Sequence, residues 1–267
     1  MKKAGLFFVV FLFCFCLKAT ANKSFYLSNP NSIDCIVRLA DHPKGTIILL
    51  HGWNFSPTEW CEKSSICDSA LKRGYNLILP NLGKSTYHWQ TYPETRKDYL
   101  KYPTRKWMYD SLFVYLQKSF SVLKAGQNNF VAGISTGGRG AALFALEHPE
   151  LFKAAVCLSA DFDQSLLKGE PINTGFYGPF EKFPDRWKGK DNIYNRASEL
   201  KVPLLLIHGK KDKMCPYTQS ESFYAKISMN NNPLGHQIIL SKNDGHSYAF
   251  WSAQSEIILN FFDQHLH

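Results

Sequence analysis

The sequence predicts an α/β protein built on a mostly parallel sheet with helices on both faces. Short, near-continuous apolar runs alternate with longer segments of helical spacing, the pattern of strands buried on both faces and the crossovers between them. Clusters of Ser, His and Asp follow those runs directly, where the carboxyl ends of parallel strands open onto ligand sites. At 267 residues and 45% hydrophobic content, the chain suits one large domain rather than two. No internal repeat or low-complexity stretch argues otherwise.

Residues 1–21 stand apart. Lys2 and Lys3 precede an uncharged apolar run from Ala4 to Leu17, and Ala19-Thr20-Ala21 supplies small residues for cleavage. This reads as a secretory signal peptide cut after Ala21, because the run is too short to span a bilayer. The expected domain is then 22–267, exported to the periplasm or the medium, with no stable membrane insertion.

Ser24–Leu27 and Cys35–Leu39 flank Asn29-Pro30-Asn31 and read as an antiparallel edge hairpin. Gly45–Leu50 is a buried strand ending in His51-Gly52-Trp53. A helix over 58–73 stops at Gly74, and Tyr75–Leu79 is the next strand. Residues 84–106 form an aromatic then basic loop, with a helix over 107–124 behind it. Asn129–Ala132 is a strand running into Gly133, and 138–147 is a helix stopped by Pro149. Phe152–Leu158 is a strand opening onto Asp161 and Asp163. Residues 164–199, rich in Gly, Pro and aromatics, suit an irregular cap-like insertion. Val202–Ile207 and Gln237–Leu240 are the last strands, with helices over 216–229 and 249–264.

The net charge of +9 falls to +6 once residues 1–21, with three lysines and no acid, are removed. That is moderately basic, and no nucleic-acid module accompanies it. The densest basic stretch, Arg96 to Lys106, is interrupted by Asp98 and Pro103 and reads as a solvated loop. Five cysteines follow residue 21. Cys61 and Cys67 are close enough to pair, Cys157 lies in an apolar strand, and an odd number leaves one thiol over. No C-x-x-C occurs, and no Cys/His spacing resembles a zinc site.

Chemistry centres on Gly133-x-Ser135-x-Gly137, between a strand and a helix. That context turns G-x-S-x-G into a nucleophile elbow, lifting the serine hydroxyl above the sheet on a strained turn. A serine needs a base, and the base needs a carboxylate to fix its tautomer. His246 is the expected base, since it alone of the downstream histidines lies on a turn just past a strand's carboxyl end. His148, His208, His236, His265 and His267 sit elsewhere. Asp212, after the preceding strand, is the expected acid, with Asp161, Asp163 and Asp244 as rivals. The oxyanion needs two preorganised N–H donors. Thr136, next after the nucleophile, supplies one and Trp53 the other, with His51 as scaffold. Trp53, Trp89 and Tyr92 are candidate substrate-binding residues, as is Trp60, although aromatic packing explains each equally well.

Ile48-Leu-Leu-His-Gly-Trp53, Gly133-Ile-Ser-Thr-Gly-Gly138, Leu204 to Asp212 and Asp244-Gly-His246 resemble the signature blocks of the alpha/beta-hydrolase superfamily. Trp187 to Asp212 is similar to its esterase and prolyl-oligopeptidase-like branch. The resemblance implies the alpha/beta-hydrolase fold and serine hydrolase activity without metal or organic cofactor. The expected reaction is cleavage of a small-molecule carboxylic ester through an acyl-enzyme. Peptidase, amidase or acyltransferase use of the same three residues is the alternative, and a non-catalytic binding protein a further one.

Overall fold

The computed structural model describes residues 22–29, 31–229 and 231–266. Its strands are β1 (Asn22–Asn29), β2 (Asn31–Arg38), β3 (Gly45–Leu50), β4 (Tyr75–Pro80), β5 (Asn129–Ile134), β6 (Phe152–Leu158), β7 (Leu204–Gly209) and β8 (Gln237–Ser241). They form one eight-stranded sheet in the order β1-β2-β4-β3-β5-β6-β7-β8. β1 and β2 are antiparallel to their neighbours, as the edge hairpin requires. Every pairing from β4 through β8 is parallel.

Burial on both faces explains the unbroken apolar runs. Side chains alternate across a strand, so Ile48, Leu50, Val131, Ala155 and Cys157 enter one core. Ile47, Leu49, Phe130, Ala132, Ala154 and Val156 enter the other. A register slip of one residue would exchange the two sets, and matching them fixes the sheet.

Three helices differ from the sequence expectation, the last being 249–264, which is two helices, Tyr248–Ser252 and Ser255–Asp263. The segment 58–73 is two short helices, Glu59–Glu62 and Ile66–Lys72, joined by a Cys61–Cys67 disulfide. The segment after the basic loop is helical from Arg105 to Phe120, with a π-helical stretch at Met108–Phe113. It ends at Ser121, in the left-handed region at φ 56°, well before Gly126. Val122 and Leu123 are thereby freed to turn into the core.

The insertion at 164–199 is more ordered than its composition suggests, with helices at Pro171–Tyr177 and Pro184–Lys188. It closes over the 84–106 loop through an aromatic cluster of Tyr99, Phe176, Tyr177 and Trp187. A buried ionic network ties both to the helix after β5. Arg105 is fully buried and donates to both carboxylate oxygens of Glu147 and to Asp191, while Arg196 also donates to Glu147. Such a network holds only when every donor is met, and here Tyr87 O takes a further Arg105 N–H.

Three buried histidines are held toward their neutral form. Burial, with the nearby Arg105 and Arg139 cations, depresses His88 to about 3, and burial depresses His236 to about 4. Burial also lowers His51, although Gly52 O opposes the shift. Lowered pKa values mean that the unfolded chain binds more protons than the native one below the ordinary histidine range. Stability is therefore complete above about pH 6.5 and is lost as the pH falls below it. His88 alone accounts for about 2 kcal/mol of loss by pH 5. Thermal denaturation at pH 7, 6 and 5 should show a falling melting temperature, and His88→Gln should flatten the dependence. A constant melting temperature over that range would contradict it.

Candidate active site

The backbone of Ser135 is forced into φ 56°, ψ −123°, a region costly for any residue with a side chain. The turn that imposes this tolerates no side chain on either flank. A Cβ on Gly133 would stand 2.0 Å from Gly137 O, and one on Gly137 would stand 2.5 Å from both Leu50 O and His51 O. The elbow helix, Thr136–Glu147, then begins directly at the carboxyl end of β5. Gly138 approaches β6 so closely that its Cβ would lie 2.8 Å from Ala160 Cβ, which accounts for the second glycine of the pair.

The loop after β3 is fixed by His51. Its ring is buried, with Nδ1 bonded to Gly52 O at 2.7 Å and Nε2 accepting the Leu82 N–H at 2.8 Å. These partners require the neutral tautomer with its proton on Nδ1. Tyr87 hydroxyl donates to His51 O at 3.0 Å. Trp53, next in the loop, packs edge-on against Tyr99 and Phe176. Among the described residues, no turn or loop hydrogen bond occupies the N–H of Trp53 or Thr136.

Asp212 follows β7 and is 8% exposed. One carboxylate oxygen accepts the backbone N–H groups of Met214 and Cys215 at 2.9 and 2.8 Å. The other accepts from His246 Nδ1 at 2.7 Å. Burial pushes the Asp212 carboxyl up, but hydrogen bonds from His208, His246 and the Cys215 N–H outweigh it and hold the group well below the usual range. The rival acids are engaged elsewhere. Asp161 pairs with Arg139 at 3.2 Å, Asp163 accepts from Ser165 and Asn192, and Asp244 accepts from the Ser241 hydroxyl.

His208 is the residue that sequence reasoning missed. Its buried ring places Nε2 at 3.0 Å from Cys215 O and 3.3 Å from the Asp212 oxygen that serves His246. Nδ1 meets the Ser220 hydroxyl at 2.7 Å. Nε2 must therefore carry the proton, and the ring is a second imidazole against the same carboxylate. The signal available in the sequence was its position four residues before Asp212, at the carboxyl end of β7.

Ser135, His246, Thr136 and Trp53 all line one cavity of about 270 Å³. Phe55, Leu167, Ile172 and Met214 make its apolar walls, and Arg139, Asp161, Glu170 and Asn173 its polar ones. Trp89 and Tyr92, expected as substrate-binding residues, are not among the residues that line this cavity. Trp89 lies under Lys190, 3.1 Å from ammonium to ring centre, and near Arg105. Tyr92 stacks on the Arg186 guanidinium at 4.4 Å and meets Tyr177 at 6.3 Å. Trp60 is core, donating its indole N–H to Leu50 O at 3.1 Å. Trp89 and Tyr92 thus contact the cap, and Trp60 the sheet.

An elbow serine, an imidazole held by a carboxylate, and a doubly covered parallel sheet define a serine hydrolase of the alpha/beta-hydrolase fold. The sequence pattern of the prolyl oligopeptidase family matches residues 72–267, and the chain belongs to that family. No curated protein sequence matches the chain. Among solved structures, the fluorophosphonate-binding serine hydrolase F of Staphylococcus aureus superposes with a TM-score of 0.72 at 22% identity, over 93% of this chain and 99% of its own. The S-formylglutathione hydrolase of the same organism gives 0.71 at 23% identity, over 93% and 100%. The acylaminoacyl peptidase of Pyrococcus horikoshii gives 0.68 at 18%, over 94% of this chain and 42% of its own. At these identities the likeness concerns the fold. No helix of the described residues is long and apolar enough to cross a membrane.

The elbow geometry gives a direct test. Gly137→Ala must push its methyl into Leu50 O and His51 O, displacing the loop that carries Trp53. The variant should unfold at a lower temperature by several degrees and lose nearly all activity, read by calorimetry and ester turnover. Wild-type stability with full turnover would contradict the close approach.

Proposed function

We propose that this protein is an exported carboxylic ester hydrolase in which Ser135, His246 and Asp212 act as nucleophile, base and orienting acid. The carrying observation is the 2.7 Å contact from His246 Nδ1 to buried Asp212, facing the same cavity as strained Ser135. With Nδ1–H committed to the carboxylate, Nε2 is the free basic lone pair.

In this reading His246 Nε2 takes the Ser135 proton as Oγ bonds to the ester carbonyl carbon. The oxyanion that forms accepts the N–H groups of Thr136 and Trp53, each donor worth roughly 10²–10³ in rate. Collapse breaks the bond to the alcohol oxygen, and the imidazolium returns its proton to that leaving group. Water then repeats the sequence on the acyl-enzyme and frees the acid and the serine. Asp212 stays ionised throughout, which its depressed carboxyl favours.

An ester rather than an amide is favoured by what the full-length structural likenesses are named for: a formylglutathione hydrolase and a ferulic acid esterase. The family name and the acylaminoacyl peptidases keep peptide substrates as the second reading. Export rests on the residue 1–21 pattern, which lies outside the described residues, and is supported by the Cys61–Cys67 disulfide, a bond that persists in oxidising compartments.

A fluorophosphonate probe should label the wild type and fail on Ser135→Ala. Asp212→Asn should keep the fold and lower kcat by on the order of 10⁴. p-Nitrophenyl esters should be turned over much faster than aminoacyl p-nitroanilides, and the reverse order would establish the peptidase reading instead. Protein recovered from the periplasm or medium should begin at Asn22 on N-terminal sequencing, and retention of residues 1–21 would contradict export.

A further inference from the structure

We propose that Arg139, Asp161 and Asn173 form a polar subsite in the catalytic cavity that recognises an uncharged hydroxyl group on the substrate, such as that of a polyol or phenol. The proposal rests on the ester reading above and specifies the substrate class.

Arg139 lies on the elbow helix, one turn past Ser135. All three residues line the cavity, yet they are only 1%, 8% and 4% exposed. A guanidinium carries five N–H donors. The partners of Arg139 are Asp161 Oδ2 at 3.2 Å and Asn173 Oδ1 at 3.5 Å, both on Nη1. Its Nε is buried without a partner. Arg105, equally buried, shows that this fold can meet four of a guanidinium's five N–H groups, on Glu147, Asp191 and Tyr87 O. Arg139 has been left short of acceptors beside the nucleophile. Unpaired buried donors are unfavourable, and a ligand supplying an acceptor recovers that loss.

Charge selects the kind of acceptor. The cavity holds one cation, Arg139, against two carboxylates, Asp161 and Glu170. A substrate carboxylate or phosphate would meet two like charges, and an ammonium could use none of the guanidinium donors. A hydroxyl fits both sides, accepting from Arg139 or the Asn173 amide and donating to Asp161. Asp161 is anchored for this by Gln164, whose amide donates to Oδ2 at 2.9 Å. The apolar walls, Trp53, Phe55, Ile172 and Met214, would hold the carbon body.

The test uses pairs of esters that differ by one hydroxyl, placed in the acyl arm in one pair and the alcohol arm in the other. Amine and carboxylate analogues complete the panel. Wild-type kcat/KM should favour the hydroxylated ester at least tenfold in one pair. In Arg139→Met that ratio should fall below threefold, with Asn173→Ala moving it in the same direction if Arg139→Met does not fold. A ratio near one in wild type, a ratio unchanged in the variants, or a preference for the charged analogues overturns the subsite. Turnover without discrimination overturns this proposal alone. No turnover of any ester, plain ones included, overturns the ester reading and this proposal with it.

Discussion

The loop after β3 and the turn after β5 pass so close together that only glycine can stand between them. Gly137 sits where a single methyl would collide with the carbonyls of Leu50 and His51, and that contact sets the site. It fixes the elbow, so that Ser135 is held out of the sheet. It also brings the loop carrying Trp53 beside the start of the elbow helix, so that Trp53 and Thr136 line one cavity. The constraint lies in backbone sterics, which is why glycine is required at 133 and 137.

A second layer of order comes from charge. The cap and the 84–106 loop carry aromatic surface that would otherwise be loosely held, and Arg105 joins both to the end of the elbow helix through Glu147 and Asp191. The same helix thus presents Ser135 at one end and anchors the cap at the other. The acid side is built differently: Asp212 is clamped by two backbone N–H groups and two imidazoles. His208 buttresses the oxygen that orients His246, and Ser220 in turn fixes the ring of His208. Orientation of the base is passed back into the core rather than left to one hydrogen bond.

The sheet was legible because Ile47 to Leu50 and Leu204 to Ile207 are apolar on both faces, and only a doubly covered strand requires that. Ser135 and Asp212 stand just past such runs, and His246 follows the half-buried edge strand β8. Helix breaks were not, since the split near Cys61 and the early stop at Ser121 depend on tertiary contacts that override spacing. Trp89 and Tyr92 could not be assigned either. An aromatic ring beside a cation and one beside a substrate read identically in sequence, and the cap that supplies Lys190 and Arg186 lies about a hundred residues away. His208 was passed over because its ring is buried at the strand end, against an aspartate four residues on.

The central claim is that Ser135 attacks a carbonyl whose oxygen then rests on the N–H groups of Thr136 and Trp53. A crystal structure of the protein after reaction with a phosphonate ester tests it most directly. The account predicts phosphorus bonded to Ser135 Oγ, with the phosphoryl oxygen within hydrogen-bond reach of both N–H groups and His246 Nε2 facing Oγ. An adduct on another residue, or a phosphoryl oxygen pointing away from both donors, would contradict it.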